Sequence, residues 1–492
     1  MDIPVVDVFA GPGGLGEGFA SCRDAQNRRL FDVALSVEKE RFAHRTLTLR
    51  KMMRRVGLPL REKVLADVTA GLPPDASVHD FPHILQEVSA KALRLELGPD
   101  TGKVVSQIQQ TLCRRDPWIL VGGPPCQAYS IVGRVRNRGI KSYDADLDSR
   151  QTLYLEYVQI LAQCEPAVFV MENVKGLLSA THNSSRLFER ITADLSDPNA
   201  ALRREGRRVG RSARYELFAF GHTGLRRSST ASDYVVRAEE FGVPQARHRV
   251  IIVGVREGSG LVPKPIALSA SSCSIDAALE GLPRVRSGIS RGNDDPSLWR
   301  ETIGSMANRP WTKGLTSELR DEIARISRKV SLPRCGRGAE ALRNLDGEPV
   351  FNHSTRAHIA ADLDRYFFAS TFAAVYKRSP SLEYFPDGLL PEHKNVGLAL
   401  REGMFNDRFR VQVRGRPSTT ITSHIAKDGH YYIHFDPTQC RSLTVREAAR
   451  LQTFPDDYIF CGPRTSQYLQ VGNAVPPRLA ERIATAIGGL LK

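Results

Sequence analysis

Short apolar runs separated by glycine-rich or polar turns recur through the first half of the chain. They occupy residues 4–9, 33–37, 118–121, 167–171 and 250–255. Continuous apolar composition of this length is typical of strands that are buried on both faces of a parallel sheet. Segment 151–163, between two of these runs, has the 3.6-residue periodicity of a helix. The pattern therefore predicts an α/β fold built on an open, Rossmann-like sheet.

The composition of the sequence and its pattern of apolar runs change at about residue 256. From there to about residue 415, proline, glycine, serine and arginine are dispersed and long apolar strands are few, which predicts a second, smaller and more irregular domain. We therefore predict a first domain over residues 1–255, a second over 256–415 and a C-terminal segment over 416–492. An insertion is predicted within the first domain at about 41–115, where residues 71–110 indicate a partly helical excursion without a motif.

The C-terminal segment resumes regular structure. Residues 416–422 and 431–435 have β character. Thr444 and Glu447 have the spacing of a capping box at the start of a helix. Pro476 and Pro477 precede an amphipathic terminal helix, as expected for prolines at a helix start.

A cysteine follows one of the predicted strands directly. The run 118–121 leads into Gly-Gly-Pro-Pro-Cys-Gln, so Cys126 stands at the carboxyl end of a strand, where open α/β sheets bind ligands. The two prolines fix the backbone just before the sulfur. These features favour a chemical role for Cys126. The alternative is the ordinary use of a lone cysteine as a small buried hydrophobic residue.

Other polar groups stand at the ends of neighbouring strands. Glu172 and Asn173 end the run 167–171, and Gln245, Arg247 and Arg249 lead into the run 250–255. Glu172 alone has the alternative of a surface carboxylate. Several functional groups at strand ends of one sheet indicate a shared site.

The first strand leads into a glycine-rich turn. Residues 10–19 hold Gly11, Gly13 and Gly14 at the entrance of a helix, which lets a ligand approach the backbone closely. Glu38 ends the second strand, where an acidic residue holds ribose hydroxyls in dinucleotide-type folds. Asp67, after residues 64–66, is a candidate third ligand from another strand end. This set predicts an adenosine-type cofactor, with an ordinary βα turn as the alternative.

The charge balance favours a polyanionic partner. Lys and Arg number 69 against 54 Asp and Glu, which gives +15 and a pI near 9.6. Basic residues are concentrated at 41–63 and 203–227, either as contacts to nucleic acid or as solvated surface. Residues 130–141 hold two glycines and four cations, which indicates a mobile basic flap or, alternatively, a disordered surface loop.

The cysteines and the chain start limit the class of protein. The eight cysteines form no C-x-x-C pair and no cluster at zinc spacing, so we expect free thiols, no disulfides and no metal. No apolar run reaches membrane-spanning length and the start lacks the features of a signal peptide. We expect an intracellular, cytoplasmic protein with no membrane partner.

Taken in order, these motifs resemble the DNA (cytosine-5)-methyltransferases of the bacterial modification type. The matching residues are Phe9 to Leu15, Glu38, Asp67, the Gly-Gly-Pro-Pro-Cys-Gln loop, Glu172-Asn173-Val174, Gln245-x-Arg247-x-Arg249, Leu443 to Asp456 and Gln470 to Pro477. Each motif alone is weak, whereas their order and spacing together are specific.

The resemblance implies S-adenosyl-L-methionine as the methyl donor. Its expected contacts are Phe9, Gly11, Gly13, Gly14, Leu15, Glu38 at the ribose, Asp67 near the adenine, and Asn473 and Val475. Because Asn473 and Val475 belong to the last motif, the end of the chain is expected to pack on its beginning.

The resemblance also implies roles at a flipped-out cytosine. Cys126 is expected to add to C6, Glu172 to contact N3 and the exocyclic amine, and Arg249 to bind O2. Asn173 is expected to hold the cysteine loop and Arg247 to support the site. Expected contacts to DNA are Gln127, Ser130, Arg134, Arg136, Gln245, Thr419 and Thr420.

By the same resemblance the partner is double-stranded DNA, read by a target recognition domain at 256–415. We expect a monomer that a separate cognate restriction endonuclease accompanies. Two alternatives remain open: a catalytically idle relative that only binds DNA, and an RNA cytosine methyltransferase with the same chemistry. A nicotinamide-dependent oxidoreductase explains the glycine loop but leaves the Pro-Pro-Cys loop without a role.

Overall fold

The chain forms two compact units. A computed structural model describes residues 2–113, 115–125, 153–182, 185–209, 213–228, 230–263, 272–290, 294–328, 334–335, 342–391 and 407–491. The first unit comprises Met1–Leu60, Val78–Ser272 and Ala474–Lys492, and the second comprises Arg61–Ser77 and Cys273–Asn473. The domain boundaries predicted at residues 255 and 415 stay predictions.

A single large sheet organises the first unit. Its strands are β1 (Ile3–Val8), β2 (Phe31–Val37), β3 (Ala92–Leu93), β4 (Ile119–Gly122), β5 (Val168–Val174), β6 (Tyr215–Gly221), β7 (Gly224–Arg227), β8 (Val235–Arg237) and β9 (His248–Arg256). Within the described residues the order is β3-β2-β1-β4-β5-β9-β6-β7, with β8 beside β9. The pairs from β3 to β5 are parallel, whereas β9 runs antiparallel to β5, β6 and β8. The α/β prediction is confirmed.

The longer helices are, in chain order, α1 (Gly14–Ser21), α2 (Arg41–Val56), α3 (Leu58–Thr69), α4 (Pro82–Ser89), α5 (Thr101–Leu112), α6 (Leu153–Cys164), α7 (Leu187–Ser196), α8 (Pro198–Arg204), α9 (Ile275–Leu279), α10 (Pro296–Gly304), α11 (Ser317–Arg328), α12 (Ala360–Tyr376), α13 (Val445–Leu451), α14 (Arg464–Asn473) and α15 (Pro477–Gly488).

The two faces of the sheet bury separate clusters. Val6 and Val8 of β1 point to the face that α5, α6 and α7 cover, whereas Val5 points to the face covered by α1 and α15. This alternation follows from the two-residue period of a strand. Because both faces are covered, the strands are apolar throughout, which is why their sequence signal is strong.

The segment interpreted as an inserted excursion contributes to this sheet. Ala92 and Leu93 form the edge strand β3, which pairs with Ser36 and Val37 of β2. The following helix α5 buries Val104 and Ile108 in the core. Residues 71–110 are partly helical, as predicted, but they also supply a strand of the sheet. That strand gives little sequence signal, because two residues leave almost no apolar run to recognise.

Helices α1 and α15 approach each other closely because α1 carries glycines where they touch. A Cβ placed on Gly14 would stand 2.1 Å from the Val475 carbonyl oxygen. One placed on Gly18 would stand 2.4 Å from both Ala480 Cβ and the Pro477 carbonyl oxygen. Both contacts lie within the first unit, so the last helix of the chain packs directly on the first.

We predict that Gly18→Ala destabilises the first unit. The added methyl group cannot be accommodated without moving α15, and overpacking of this kind costs about 1–3 kcal/mol. Thermal unfolding should show a midpoint several degrees lower. Gly102→Ala is the matched control, since a Cβ there meets nothing within 4 Å in helix α5. A midpoint for Gly18→Ala equal to that of Gly102→Ala would contradict the packing.

The second unit has its own core and a buried polar network. Helix α12 places fully buried aromatic side chains, among them Tyr366 and Phe367, against α10 and α11. Below the start of α13, Arg441 donates to both carboxylate oxygens of Glu447 at 2.6 and 2.7 Å. Glu447 also accepts from the Thr444 N–H, and the predicted capping box is present.

Three buried histidines surround this network. His353 lies between the Thr444 hydroxyl and the Pro283 carbonyl, at 2.8 and 2.9 Å. His434 Nε2 lies 3.6 Å from the Glu447 carboxylate. Burial lowers the pKa of His353 to about 4 and the pKa values of His358 and His434 to about 3. These imidazoles are neutral in the folded protein at neutral pH.

We predict that stability falls as the pH falls from about 6.5 towards 4. Unfolded histidines take up protons near pH 6.5, whereas His353, His358 and His434 do so only at lower pH, so protons favour the unfolded chain by up to about 1.4 kcal/mol per pH unit for each histidine. Asp7 acts in the opposite direction, since burial raises its pKa to about 7. The unfolding midpoint should drop between pH 7 and 5, and His434→Gln should flatten the slope. An unchanged slope in that variant would contradict this assignment.

Candidate active site

Three loops of the first unit leave the same edge of the sheet. Val8 of β1 pairs with Gly122 of β4, and Gly122 pairs with Met171 of β5. Because these strands are parallel, the residues that follow Val8, Gly122 and Met171 lie side by side. The predicted glycine loop, the start of the cysteine loop and the Glu172 motif are therefore neighbours.

The glycine loop adopts a backbone that few side chains allow. Gly11 and Gly13 have φ of +56° and +98°, and Gly13 caps the start of α1. A Cβ on Gly11 would meet nothing within 4 Å, so open space adjoins the loop. Phe9 also has a positive φ, of +53°, and Leu15 is buried below the loop. The backbone of the loop is therefore accessible beside Gly11, whereas Gly13 and Gly14 are buried.

Two carboxylates hold the two ends of this loop. Glu38, just after β2, accepts the Gly11 N–H at 2.7 Å, and burial raises its pKa. Asp7 of β1 accepts the Gly16 N–H at 3.1 Å from below. The space beside Gly11 and the carboxylate next to it fit an adenosine-type cofactor, whose ribose hydroxyls are natural donors to Glu38.

The two predicted cofactor contacts from the last motif belong to different units. Val475 lies in the first unit, with its carbonyl against Gly14. Asn473 is the last residue of α14 and of the second unit, and its side chain is exposed. The contacts of Asn473 and Val475 with a cofactor stay predictions.

The structure corrects the interpretation of Asp67. Residues 64–66 belong to helix α3, not to a strand, and Asp67 accepts hydrogen bonds from the Ser77 N–H and hydroxyl at 3.0 and 2.6 Å. The carboxylate thus closes the turn after α3 and does not follow a strand. The contact of Asp67 with a cofactor stays a prediction. The apolar run before it was too short to distinguish a strand from a helix.

The strand that stands in this place is β3. Its end adjoins Glu38, since the Glu38 N–H donates to the Leu93 carbonyl at 3.1 Å. The residues after Leu93 therefore reach the edge of the sheet beside the glycine loop. The alternating segment Leu93-Arg94-Leu95-Glu96-Leu97 begins only at the last residue of this strand, so its alternation does not give the bounds of β3.

Glu172 and Arg249 form an ion pair at the ends of β5 and β9. Arg249 Nε lies 2.9 Å from Glu172 Oε1, and their side chains are only 12% and 13% exposed. Arg249 also donates from Nη1 to the His248 carbonyl at 2.8 Å. Burial lowers the pKa of the Arg249 guanidinium, and the charge of Glu172 opposes that change. At this edge of the sheet, a carboxylate and a guanidinium are thus in contact and are both largely removed from water.

Asn173 connects β5 to the cysteine loop. Its Nδ2 donates to the Pro124 carbonyl at 3.2 Å, while its Oδ1 accepts the Val174 N–H at 2.8 Å. A Cβ on Gly123 would stand 2.9 Å from Glu172 Oε2, so this glycine allows the loop to pass close to the carboxylate. The predicted site residues Cys126, Gln127, Ser130, Arg134 and Arg136 lie outside the described residues.

The remaining predicted site residues are more enclosed. Arg247 is 1% exposed and donates to the Ala474 carbonyl at 2.9 Å, so it ties the last segment of the chain to the sheet. Gln245 is fully buried. In the second unit, Thr419 is half-buried and its N–H donates to Gln412 at 2.9 Å, and Thr420 is also half-buried. The predicted DNA contacts of Gln245, Thr419 and Thr420 stay predictions.

Many arginines of the two basic runs are paired with acids. The pairs are Arg50 and Arg54 with Glu17, Arg204 with Asp194, Arg207 with Glu156, Arg214 with Asp197, Arg226 with Asp233, and Arg227 with Glu216. An arginine already paired with a carboxylate attracts phosphate less strongly. These runs therefore contribute less to a polyanion-binding surface than their sequence indicates.

Metal-binding clusters and membrane-spanning helices are both absent from the described residues. Among those residues, no group of three or more His, Cys, Asp or Glu side chains is arranged to hold a metal ion. None of the helices in the same part of the chain is both long and apolar enough to cross a membrane.

Comparisons with known proteins agree on one family. A family model described as C-5 cytosine-specific DNA methylase matches residues 99–199 and 231–489. The type II methyltransferase M.Bpa9945I of Bacillus paralicheniformis is 30% identical over 508 residues, which cover 98% of this chain and 98% of that protein. The DNA (cytosine-5-)-methyltransferase M.ApeKI of Aeropyrum pernix is 27% identical over 425 residues, covering 76% and 82%.

A solved structure supports the fold. A candidate DNA modification methyltransferase encoded within an Escherichia coli prophage superposes with a TM-score of 0.53 at 18% identity, and the match covers 100% of this chain and 99% of that one.

We predict strong coupling between Glu172 and Arg249 in a double-mutant cycle. Arg249→Met leaves a buried carboxylate without its partner and should lower the free energy of unfolding by about 3 kcal/mol. Adding Glu172→Gln should recover part of the loss, with a coupling of about 1–3 kcal/mol in denaturant unfolding. The more exposed pair Arg478–Glu481 is the control and should couple more weakly. If the effects of the two substitutions were additive, the attraction between Glu172 and Arg249 would not offset the cost of removing their charges from water.

Proposed function

Because this chain belongs to the C-5 cytosine-specific DNA methylase family, we propose that it transfers a methyl group from S-adenosylmethionine to C5 of a cytosine flipped out of duplex DNA. The enzyme is a DNA (cytosine-5-)-methyltransferase. The observation that carries this proposal is the largely enclosed ion pair of Glu172 and Arg249 beside the loop that leads to Cys126. A carboxylate and a guanidinium held in contact at the end of two strands can together recognise the polar edge of one nucleobase.

The glycine loop and Glu38 are the proposed cofactor site. Gly11, Gly13 and Gly14 would present backbone to the ligand, Glu38 would accept the ribose hydroxyls, and Phe9 and Leu15 would complete the loop. Asn473 and Val475 are the proposed contacts from the last motif. S-adenosylmethionine supplies an electrophilic methyl group when it is bound.

Cys126 is the proposed nucleophile. C5 of cytosine is a weak nucleophile, and addition of a thiolate to C6 makes C5 enamine-like, so that C5 can take the methyl group. Removal of the C5 proton by a base, which we propose is water or hydroxide, then expels the thiolate and restores the ring. A free thiol near pKa 8.5 is only a few per cent ionised at pH 7, so positive charge nearby should assist.

Glu172 and Arg249 are the proposed contacts to the cytosine ring. O2, N3 and the exocyclic amine lie in a row along one edge of the base. Arg249 would donate to O2, and Glu172 would contact N3 and the amine, which stabilises charge on the ring during addition. Support comes from their 2.9 Å contact, because side chains held that close can serve adjacent ring atoms. Asn173 would hold the cysteine loop and Arg247 would support the site.

Access to the base requires flipping. Unstacking a cytosine costs on the order of a few kcal/mol, which contacts to phosphate must offset. We propose that the basic flap at 130–141 closes over the DNA, and that Gln127, Ser130, Arg134, Arg136 and Gln245 contact the DNA. The net charge of +15 favours such a partner. Residues 256–415 are proposed to read the target sequence, with Thr419 and Thr420 at the rejoining edge.

The relatives indicate a biological setting. Since M.Bpa9945I is named a type II methyltransferase, we propose that this enzyme protects DNA within a restriction-modification system, with a separate endonuclease. We further propose that it acts as a monomer in the cytoplasm.

We predict that the purified protein transfers labelled methyl groups from S-adenosylmethionine to duplex DNA and that Cys126→Ala abolishes the transfer, because the addition to C6 is lost. The measurement is incorporation of tritium into DNA that lacks the modification. Cys113→Ala is the control, since this exposed thiol ends helix α5 and should leave transfer unchanged.

Two further results separate the alternatives. Transfer that survives Cys126→Ala would refute the covalent mechanism, and transfer to tRNA in preference to duplex DNA would favour the RNA methyltransferase alternative. Bisulfite sequencing of DNA from an expressing host would identify the target sequence.

A further inference from the structure

A histidine stands between the two arginines of the segment that leads into β9, and an acid holds it. His248 Nε2 lies 2.7 Å from Glu239 Oε1. The second oxygen of the same carboxylate, Oε2, accepts the Arg247 N–H at 3.1 Å. One carboxylate therefore contacts two successive residues at the start of the strand that carries Arg249.

The backbone around Glu239 holds the same segment. The Ala238 N–H donates to the Arg247 carbonyl at 2.9 Å, and Arg237 of β8 pairs with His248 of β9. Residues 237–239 thus brace the first residues of β9 from one side by backbone and side-chain bonds together. Strand ends fray when they lack such bonds.

The braced segment supplies the acceptor that orients Arg249. The guanidinium donates from Nη1 to the His248 carbonyl at 2.8 Å, and its Nε contacts Glu172 at 2.9 Å. A guanidinium is planar with its N–H groups in fixed directions, so these two contacts determine its plane. A shift of the His248 carbonyl would rotate the guanidinium away from Glu172.

We propose that Glu239 is a positioning residue for Arg249, acting through the Arg247 N–H and His248. This inference rests on the proposed function, in which Arg249 contacts the cytosine ring. The side chains of Glu239 and His248 are 20% and 35% exposed, so their pair adds little to the stability of the fold. The Glu239–His248 pair instead affects the orientation of Arg249. This matters for the methyl-transfer rate, because small misplacements at a reacting centre reduce rates strongly.

The chain offers a matched control at the next residue. Glu240 also faces a histidine, His222, at 3.3 Å, and Arg237 at 3.6 Å, but it makes no bond to residues 247–249 among the described contacts. Glu239→Ala and Glu240→Ala therefore remove the same side chain, each from a carboxylate–histidine pair. Only the first removes a bond to the strand that carries Arg249.

The experiment compares these variants in single-turnover methyl transfer at saturating S-adenosylmethionine and duplex DNA. We expect Glu239→Ala to lower the rate about tenfold and Glu240→Ala to change it less than twofold. The dissociation constant of S-adenosylmethionine should stay within twofold in both variants. Glu239→Gln, which can still accept the Arg247 N–H, should recover most of the rate.

The same variants are compared by NMR of the arginine Nε–H groups, with the Arg249 signal assigned through Arg249→Lys. The signal should shift in Glu239→Ala and stay in place in Glu240→Ala. A rate within twofold of wild type, an equal loss in Glu240→Ala, or a parallel loss of cofactor affinity would overturn the inference. If the wild-type protein transfers no methyl group, the proposed function fails, and an unmoved Arg249 signal would then overturn the inference separately.

Discussion

Glu172 and Arg249 are removed from water together, and the arrangement of the sheet edge depends on that contact. Removing either charge from water without its partner costs on the order of several kcal/mol. The pair at 2.9 Å offsets this only while β5 and β9 keep their register, which places Glu172 opposite Ile251 and Arg249 opposite Val174. The antiparallel insertion of β9 beside β5 is what allows an acid and a base from distant parts of the chain to meet. A uniformly parallel pairing at this point would carry the two groups to opposite edges.

The elements with long apolar runs could be predicted from the sequence, and those without them could not. β1, β4, β5 and β9 are buried on both faces, so their composition reveals them, and polar residues at their ends indicated the site at Glu172 and Arg249. The edge strand β3 has two residues and one partner, which left its place to the wrong segment around Asp67. Nothing in the local sequence around Glu239 indicates its contact with His248, because that contact depends on the approach of the turn Ala238–Glu240 to β9.

The net charge of the chain does not show which of its basic residues are available to bind DNA. The basic runs at 41–63 and 203–227 resemble a phosphate-binding surface in sequence. In the structure, however, Glu17 pairs with both Arg50 and Arg54, and Arg204 and Arg207 pair with Asp194 and Glu156. An arginine can stabilise the fold or attract DNA, and the sequence does not distinguish these uses. The carboxylates that decide between them lie at separations from 7 residues, for Arg226 and Asp233, to 51 residues, for Arg207 and Glu156.

The contact between α1 and α15 joins residues that are far apart along the chain and are therefore made at well-separated times. Gly14 and Gly18 pack against Val475, Pro477 and Ala480, with more than four hundred and fifty residues between them. Translation proceeds at about 5–20 residues per second. Helix α15 is therefore made on the order of tens of seconds after helix α1, on which it packs. During that interval one face of the sheet remains open around α1. A nascent chain therefore cannot complete this face before residues 475–480 have been translated.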